Sequence, residues 1–269
     1  MMNVVDTIGV EIGDTTLMFG DIRGLDTDSM GNLLVLDGAN CIVRVFSPEG
    51  EYLSGFGGRG SGPGELLDPL DIAVLSHGRI AVSDWDAWGV HFFDHDHVFA
   101  GFLGPMPGGA PMEIAAGPEG SVAGVGLQFW NEDGESRGEY FLACWSDSTR
   151  EDFRYLEGPA TVEGLETGEI TIHFPDVMFD SHLQGNLCAG LSTDSTYSVQ
   201  MYLPDGSVSG SISQEWERVP RDSASVGAME TEASLSGEDI PGGNLNAPGV
   251  AGVYMDGERI WIRQGTSSN

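Results

Sequence analysis

The chain contains no lysine: its 11 basic residues are all arginine, set against 42 acids for a formal net charge of −31. Lysine is ordinarily among the commonest residues, so its absence excludes specific chemistry. No lysine can form a Schiff base or serve a phosphate-binding loop, and no basic patch can neutralise a nucleic-acid backbone. Nucleic acid and anionic membrane surfaces are not expected partners, and self-repulsion predicts a monomer at low salt. An acid-rich, lysine-free surface suits saline conditions, where screening shortens the reach of that repulsion. Cysteine is scarce too. Cys41, Cys144 and Cys188 are odd in number, far apart and without a CxxC pair, which leaves neither a disulfide framework nor a zinc motif. Cys144 and Cys188 lie in apolar runs and read as small buried hydrophobes. No apolar stretch approaches the roughly 18 residues a bilayer span needs. The opening Met1 to Asp6 has no basic n-region and no apolar h-segment, so no signal peptide is expected in the chain as it stands. Nucleophile-elbow, HExxH, phosphate-loop and dinucleotide patterns are all missing.

What the chain has is a repeat. Residues 22–57 and 70–104 superimpose without a gap at an offset of 47. Gly31-Asn-Leu-Leu-Val-Leu-Asp37 falls on Gly78-Arg-Ile-Ala-Val-Ser-Asp84, Arg44-Val-Phe46 on His91-Phe-Phe93, and Gly57 on Gly104. Each copy alternates apolar runs with turns, the rhythm of an up-and-down four-stranded sheet about one propeller blade long. Beyond these two, glycines that precede a strand-like run mark later units at Gly120, Gly185 and Gly257. Tyr197 to Gly206 repeats the pattern of Ile42 to Gly50 with its Pro-acid-Gly turn, which predicts a hairpin at both places. Residues 213–245, rich in Ser, Glu and Gly, predict an insert with a short helix between Ser223 and Leu235. Residues 3–12 read as a strand that closes a ring with the last unit.

The stretch Val35-Leu-Asp37 to Gly50, followed by Gly57-Gly-Arg-Gly-Ser-Gly-Pro-Gly-Glu65 and Pro69, resembles the NHL-repeat type of bacterial six-bladed β-propeller. The Gly-x-Gly-Pro-Gly-Glu connector is the most specific part of the resemblance. The expected fold is therefore all-β: a single β-propeller over 1–269, six-bladed, with an incomplete or five-bladed ring as the alternative. Six units of 47 residues need more than the 269 present. The resemblance implies a scaffold in an extracytoplasmic location, of a class whose better-known members bind protein, peptide or RNA; the expected reading is a non-catalytic module for a protein, peptide or carbohydrate ligand, without a cofactor. The alternative it implies is a metal-dependent, lactonase-like hydrolase or lyase with calcium or zinc in the channel. Fold alone does not choose between them.

In such a blade the turn between second and third strands shares a face with the connector between blades, here Asp37 to Cys41, Arg59 to Glu65 and Asp84 to Trp88. Trp85, Asp86 and Trp88, with Arg59 and Glu65, are the candidate ligand-binding residues, because exposed tryptophans are efficient stacking surfaces. The competing reading packs both tryptophans between blades as filler. Asp37 and Asp84 end matching strands and read as caps for loop amides. His91-Phe-Phe-Asp-His95-Asp-His97 holds the ligand types for zinc, but its alignment places Asp94 to His97 on an outer turn. Asp26 to Asp37 has some spacing of a calcium loop, yet Met30 stands at a ligand position and Leu33 to Leu36 read as a strand. Asp133 and Glu135 read as a polar turn. No catalytic or metal-binding residues are assigned.

Overall fold

The computed structural model describes residues 7–9, 13–133, 135–146, 151–163, 171–173, 177–181, 186–192, 196–215, 250–256 and 259–264. They fall into two compact units, Met1–Phe174 with Leu183–Gly185, and Pro175–His182 with Asn186–Asn269.

The first unit holds three blades. Strands β1 (Ile22–Thr27), β2 (Leu33–Asp37), β3 (Ile42–Phe46) and β4 (Tyr52–Gly57) form one antiparallel meander. The next is β5 (Pro69–Val74), β6 (Ile80–Asp84), β7 (Gly89–Phe93) and β8 (Phe99–Leu103). The third is five-stranded, β9 (Ile114–Ala116), β10 (Val122–Glu132), β11 (Glu135–Trp145), β12 (Phe153–Glu163) and β13 (Thr171–His173). Successive side chains of a strand point to opposite faces, so a strand covered on both sides is buried at every position. Strand β6 shows this: Ile80 and Val82 join Leu34, Leu36, Val43 and Val45 of the first blade, while Ala81 joins Ile114, Val122 and Phe141 of the third. The second blade is thus the filling between the other two.

The turns explain why the repeat is so regular. Gly31, Gly78 and Gly120 each precede a second strand with φ of 82°, 74° and 84°, a left-handed conformation that glycine adopts freely. The third-to-fourth strand turns share one hydrogen-bond pattern. Ser47 N–H donates to Glu51 O at 2.8 Å, Asp94 N–H to Val98 O at 2.9 Å and Leu203 N–H to Ser207 O at 2.8 Å. The hairpins expected at Ile42 to Gly50 and Tyr197 to Gly206 are therefore present.

The second unit contains a fourth blade, β14 (Val177–Ser181), β15 (Leu187–Ser192), β16 (Thr196–Tyr202) and β17 (Val208–Glu215), and a hairpin, β18 (Val250–Asp256) with β19 (Arg259–Gln264). Cys188, Val199 and Val253 form its buried core, backed by Met178 and Ile260.

The expectation of six blades is corrected: the described residues form four blades and one further hairpin. Chain length goes into the third blade, whose β10, β11 and β12 run 11 residues each, against 5 or 6 in the first blade. Ser213 to Glu215, the start of the predicted insert at 213–245, complete β17, and the helix expected between Ser223 and Leu235 falls within 216–249, outside the described residues. Of the predicted closing strand 3–12, Thr7 to Gly9 carry no strand and the rest lies outside the described residues.

Candidate functional site

Two buried carboxylates organise the face formed by the strand turns and blade connectors. Asp37 accepts hydrogen bonds from the N–H groups of Gly20 (3.1 Å), Asp21 (3.3 Å) and Asn40 (3.2 Å), and from Asn40 Nδ2 (2.8 Å). Asp84, one repeat later, accepts from Leu67 (2.8 Å), Asp68 (3.0 Å) and Ala87 (3.2 Å). Each pins its own turn to the segment entering its blade, the capping role read from the sequence. Burial works to raise the Asp37 pKa, but the Asn40 amide, the Arg44 guanidinium and the backbone amides outweigh it and hold the group at about 2. At the equivalent place His91 stands 3.6 Å from Asp84, buried, with no hydrogen-bond partner on either ring nitrogen among the described residues. Burial lowers its pKa, against the pull of Asp84.

The five candidate binding residues separate into two groups. Arg59 donates to Leu67 O at 3.2 Å and Ala39 O at 3.1 Å, and Glu65 accepts from Gly62 N–H at 2.8 Å. Both carry polar partners within the connector region. Trp85, Asp86 and Trp88 lie exposed on the β6–β7 turn, Trp85 at 39% and Trp88 at 54% accessibility. Trp85 is partly packed, over Gly109, and Trp88 is the more open of the two. Trp88 has φ of 59°, and its carbonyl accepts from Met106 N–H at 2.7 Å, tying the turn to the next connector.

Beside this turn lies a groove of about 230 Å³ that the sequence did not announce. Its wall is the connector Met106, Pro107, Gly109 and Pro111; its floor is Gly126, Phe141 and Trp145; Gln128 and Glu151 stand at its rim. Glycines let the connector lie down on the sheet. A Cβ on Gly108 would stand 1.7 Å from Leu127 O, and one on Gly124 would stand 2.8 Å from Pro111 Cβ. Gly126 lies opposite Phe141, whose ring covers it, so a Cβ there would meet that ring at 2.6 Å. Across the connector, Trp85 lies over Gly109, 3.3 Å from where its Cβ would be. At the rim, the Arg154 guanidinium lies 3.9 Å over the Phe141 ring and pairs with Glu139 (2.6 Å), Glu151 (2.9 Å) and Glu157 (3.0 Å). Phe141 and Trp145 are 5% and 2% exposed, so the open aromatic surface beside this acidic rim is that of the Trp85–Trp88 turn.

Solved structures similar to this chain include a catalytically inactive virginiamycin B lyase from Staphylococcus aureus with quinupristin, at 12% identity and a TM-score of 0.43 over 90% of this chain and 77% of that one. A gluconolactonase from Xanthomonas campestris gives 14% identity and a TM-score of 0.42 over 91% and 69%. The Cps50 (Swd1) β-propeller domain from Myceliophteria thermophila gives 10% identity and 0.36 over 71% and 55%. The four described antiparallel meanders make the fold an all-β one of the β-propeller type. No protein-family model matches the sequence, and no curated protein matches it. The NHL-repeat type accordingly stays a resemblance of residues 20–104, and neither an enzyme nor a binding protein is singled out.

The remaining motifs resolve into structure. Asp94 to His97 form the β7–β8 turn, with Asp94 accepting from the Asp96 and Val98 amides at 2.9 Å each. His97 stacks on Phe56, ring centroids 4.8 Å apart. Asp28 accepts from Met30 (2.8 Å) and Asn32 (2.9 Å) amides, making the calcium-like segment a β1–β2 hairpin. Asp133 sits in the β10–β11 turn. All three cysteines are buried, and burial pushes Cys144 up to about 11 and Cys188 up to about 12, which keeps both as thiols. Among the described residues no three His, Cys, Asp or Glu side chains are grouped to hold a metal ion. Nor, among them, is any helix long and apolar enough to cross a membrane.

Sequence reasoning missed Asp71 as well. It stands on β5, the first strand of the second blade, and accepts from Ile72 and Ile114 amides at 2.9 Å each. Asp26 on β1 likewise accepts from Val74 N–H at 2.6 Å, so a carboxylate joins the first strands of the first and second blades and of the second and third. Burial raises Asp71 to about 7; the two amides act against it, and Glu113 and Asp26 add to it.

Proposed function

We propose that this protein is a non-catalytic binding module whose ligand, a peptide or carbohydrate of a partner molecule, is held by the aromatic groove and the Trp85–Trp88 turn beside it. The groove carries the reading: a preformed concave shape with a few polar groups at its rim and exposed indoles beside it are what recognition sites share. Catalytic residues, a metal and a cofactor have no part in it. The glycine-dependent seating of the connector supports a site that exists before the ligand arrives, which spares the ordering cost of binding.

The test compares ligand binding by intrinsic tryptophan fluorescence across a panel of short peptides and oligosaccharides, using three proteins. Trp85→Ala/Trp88→Ala should fold and melt a few degrees below the parent, because the Trp85 ring is partly packed over Gly109, yet lose about tenfold or more in affinity for any ligand the parent binds. Gln128→Trp places a bulky side chain at an exposed strand position on the groove rim and should block the same ligand. Binding that both variants leave intact would remove the site from consideration.

Asp71 supports the second reading, a hydrolase or lyase, since a carboxylate titrating at about 7 is suited to accept a proton at neutral pH. That reading, in its metal-dependent form, predicts one calcium or zinc per chain by mass spectrometry, lost with stability on adding EDTA. A metal-free chain indifferent to EDTA would end it.

A further inference from the structure

Resting on the binding-module reading and narrowing it, we propose that the groove receives a basic segment of a partner protein, an arginine or lysine flanked by apolar residues. The protein itself shows how this floor treats a guanidinium. Arg154 lies over one face of Phe141 with Glu139, Glu151 and Glu157 around it, so among the described residues the rim sets three carboxylates about one cation. Arginine and lysine stems are apolar and lie along aromatic surface while the charged end stays among acids and water. Phe141 and Trp145 are almost wholly buried, at 5% and 2%, so the Trp85 and Trp88 rings beside the groove supply that surface, and a cation over an aromatic face is attracted by the ring quadrupole.

The apolar flanks have a place as well. Trp85, Trp88, Phe102 and Met112 are large hydrophobic side chains exposed at 39%, 54%, 41% and 46%, around the connector that walls the groove. Such exposed apolar surface beside a groove is a mark of an interaction site. Charge selects the partner. A chain with a net charge of −31 and no lysine repels acidic partners and draws basic ones to its surface before contact.

The probe is a short peptide alternating arginine and leucine, with its glutamine-for-arginine and glutamate-for-arginine counterparts, titrated calorimetrically against four proteins. These are the parent, Gln128→Trp, Gln128→Arg and Glu51→Gln. The last two make the same change in charge, one at the groove rim and one on the exposed β3–β4 turn. The parent should bind the arginine peptide about tenfold or more tightly than the glutamine peptide, and the glutamate peptide not at all. Gln128→Trp should abolish binding, and Gln128→Arg should weaken the arginine peptide about fivefold or more while sparing the glutamine peptide; Glu51→Gln should do neither. Equal binding of the arginine and glutamine peptides, blocked by Gln128→Trp, would overturn the basic partner and keep the groove as a binding site. Arginine-peptide binding that ignores Gln128→Trp, or falls as far with Glu51→Gln as with Gln128→Arg, would show attraction to the acidic surface at large and overturn the inference. So would no binding of the arginine peptide.

Discussion

Asp71 takes two backbone hydrogen bonds that favour its charged form and still titrates near 7, so its burial, reinforced by Glu113 and Asp26, outweighs them. The folded protein therefore holds this proton more tightly than the unfolded chain, whose aspartates ionise near 3.8. Stability attached to the group is present below about pH 4 and falls as pH rises toward 7, after which it is level. Asp71→Asn has no such dependence. Its stability relative to the parent, from urea unfolding at several pH values, should rise between pH 4 and 7 by at most about 4 kcal/mol. A difference that stays flat over that window would show that the carboxylate is solvated. Nothing in the sequence marks Asp71: it sits in Pro69-Leu-Asp71-Ile-Ala-Val74, an ordinary strand. Its environment comes from residues 43 positions away, at Ile114, and near Asp26, which no local pattern reveals.

At the scale of a blade, the repeat was legible because each copy solves the same problem with the same residues, and the differences between copies are compensated. Arg44 lies opposite Gly55 on the neighbouring strand; one repeat on, His91 lies opposite Phe102. The shorter His91 faces the larger partner, with ring centroids 4.8 Å apart. Swapping one member alone breaks this trade. His91→Arg should lower the melting temperature, because the longer side chain meets the Phe102 ring. His91→Arg/Phe102→Gly restores the first blade's pair beside Asp84 and should recover most of that loss, giving a coupling of about 1 kcal/mol or more in a double-mutant cycle. Additive effects would mean that the two positions do not share a space. The third blade was harder to read for a related reason. Its 11-residue strands keep the glycine anchor at Gly120 but displace every later landmark. The groove was harder still. It joins a connector to alternate positions of β10 and β11, and its only sequence signals are Gly124 and Gly126 within a strand and the Gly-Pro-rich run from Gly104 to Pro111. The β6–β7 turn that carries Trp85 and Trp88 was easy by comparison, because the repeat aligns it with Asp37 to Cys41.

Over the whole molecule, the dominant electrostatic fact is an excess of acids spread along the chain, and its consequences differ from those of any single buried pair. Dispersed repulsion acts over distances comparable with the Debye length, about 10 Å at 0.1 M salt and about 3 Å at 1 M, so salt removes most of it. The Arg44–Asp37 pair is buried, at 8% and 0% side-chain accessibility, and salt reaches it poorly. Removing one partner strands the other charge, at a cost of about 3–5 kcal/mol. Raising salt from low to molar concentration should therefore raise the urea midpoint of the parent and of Arg44→Met alike, while the gap between them stays constant within about 0.5 kcal/mol. A gap that closes with salt would mean that the pair is solvated. The same experiment bears on function, because the charges that strain the folded chain are those that would draw a basic partner. Salt should strengthen the fold and weaken the arginine-rich probe together, as screening of one field requires. Affinity that holds steady while the midpoint climbs would place recognition in the groove and the Trp85–Trp88 turn rather than in charge.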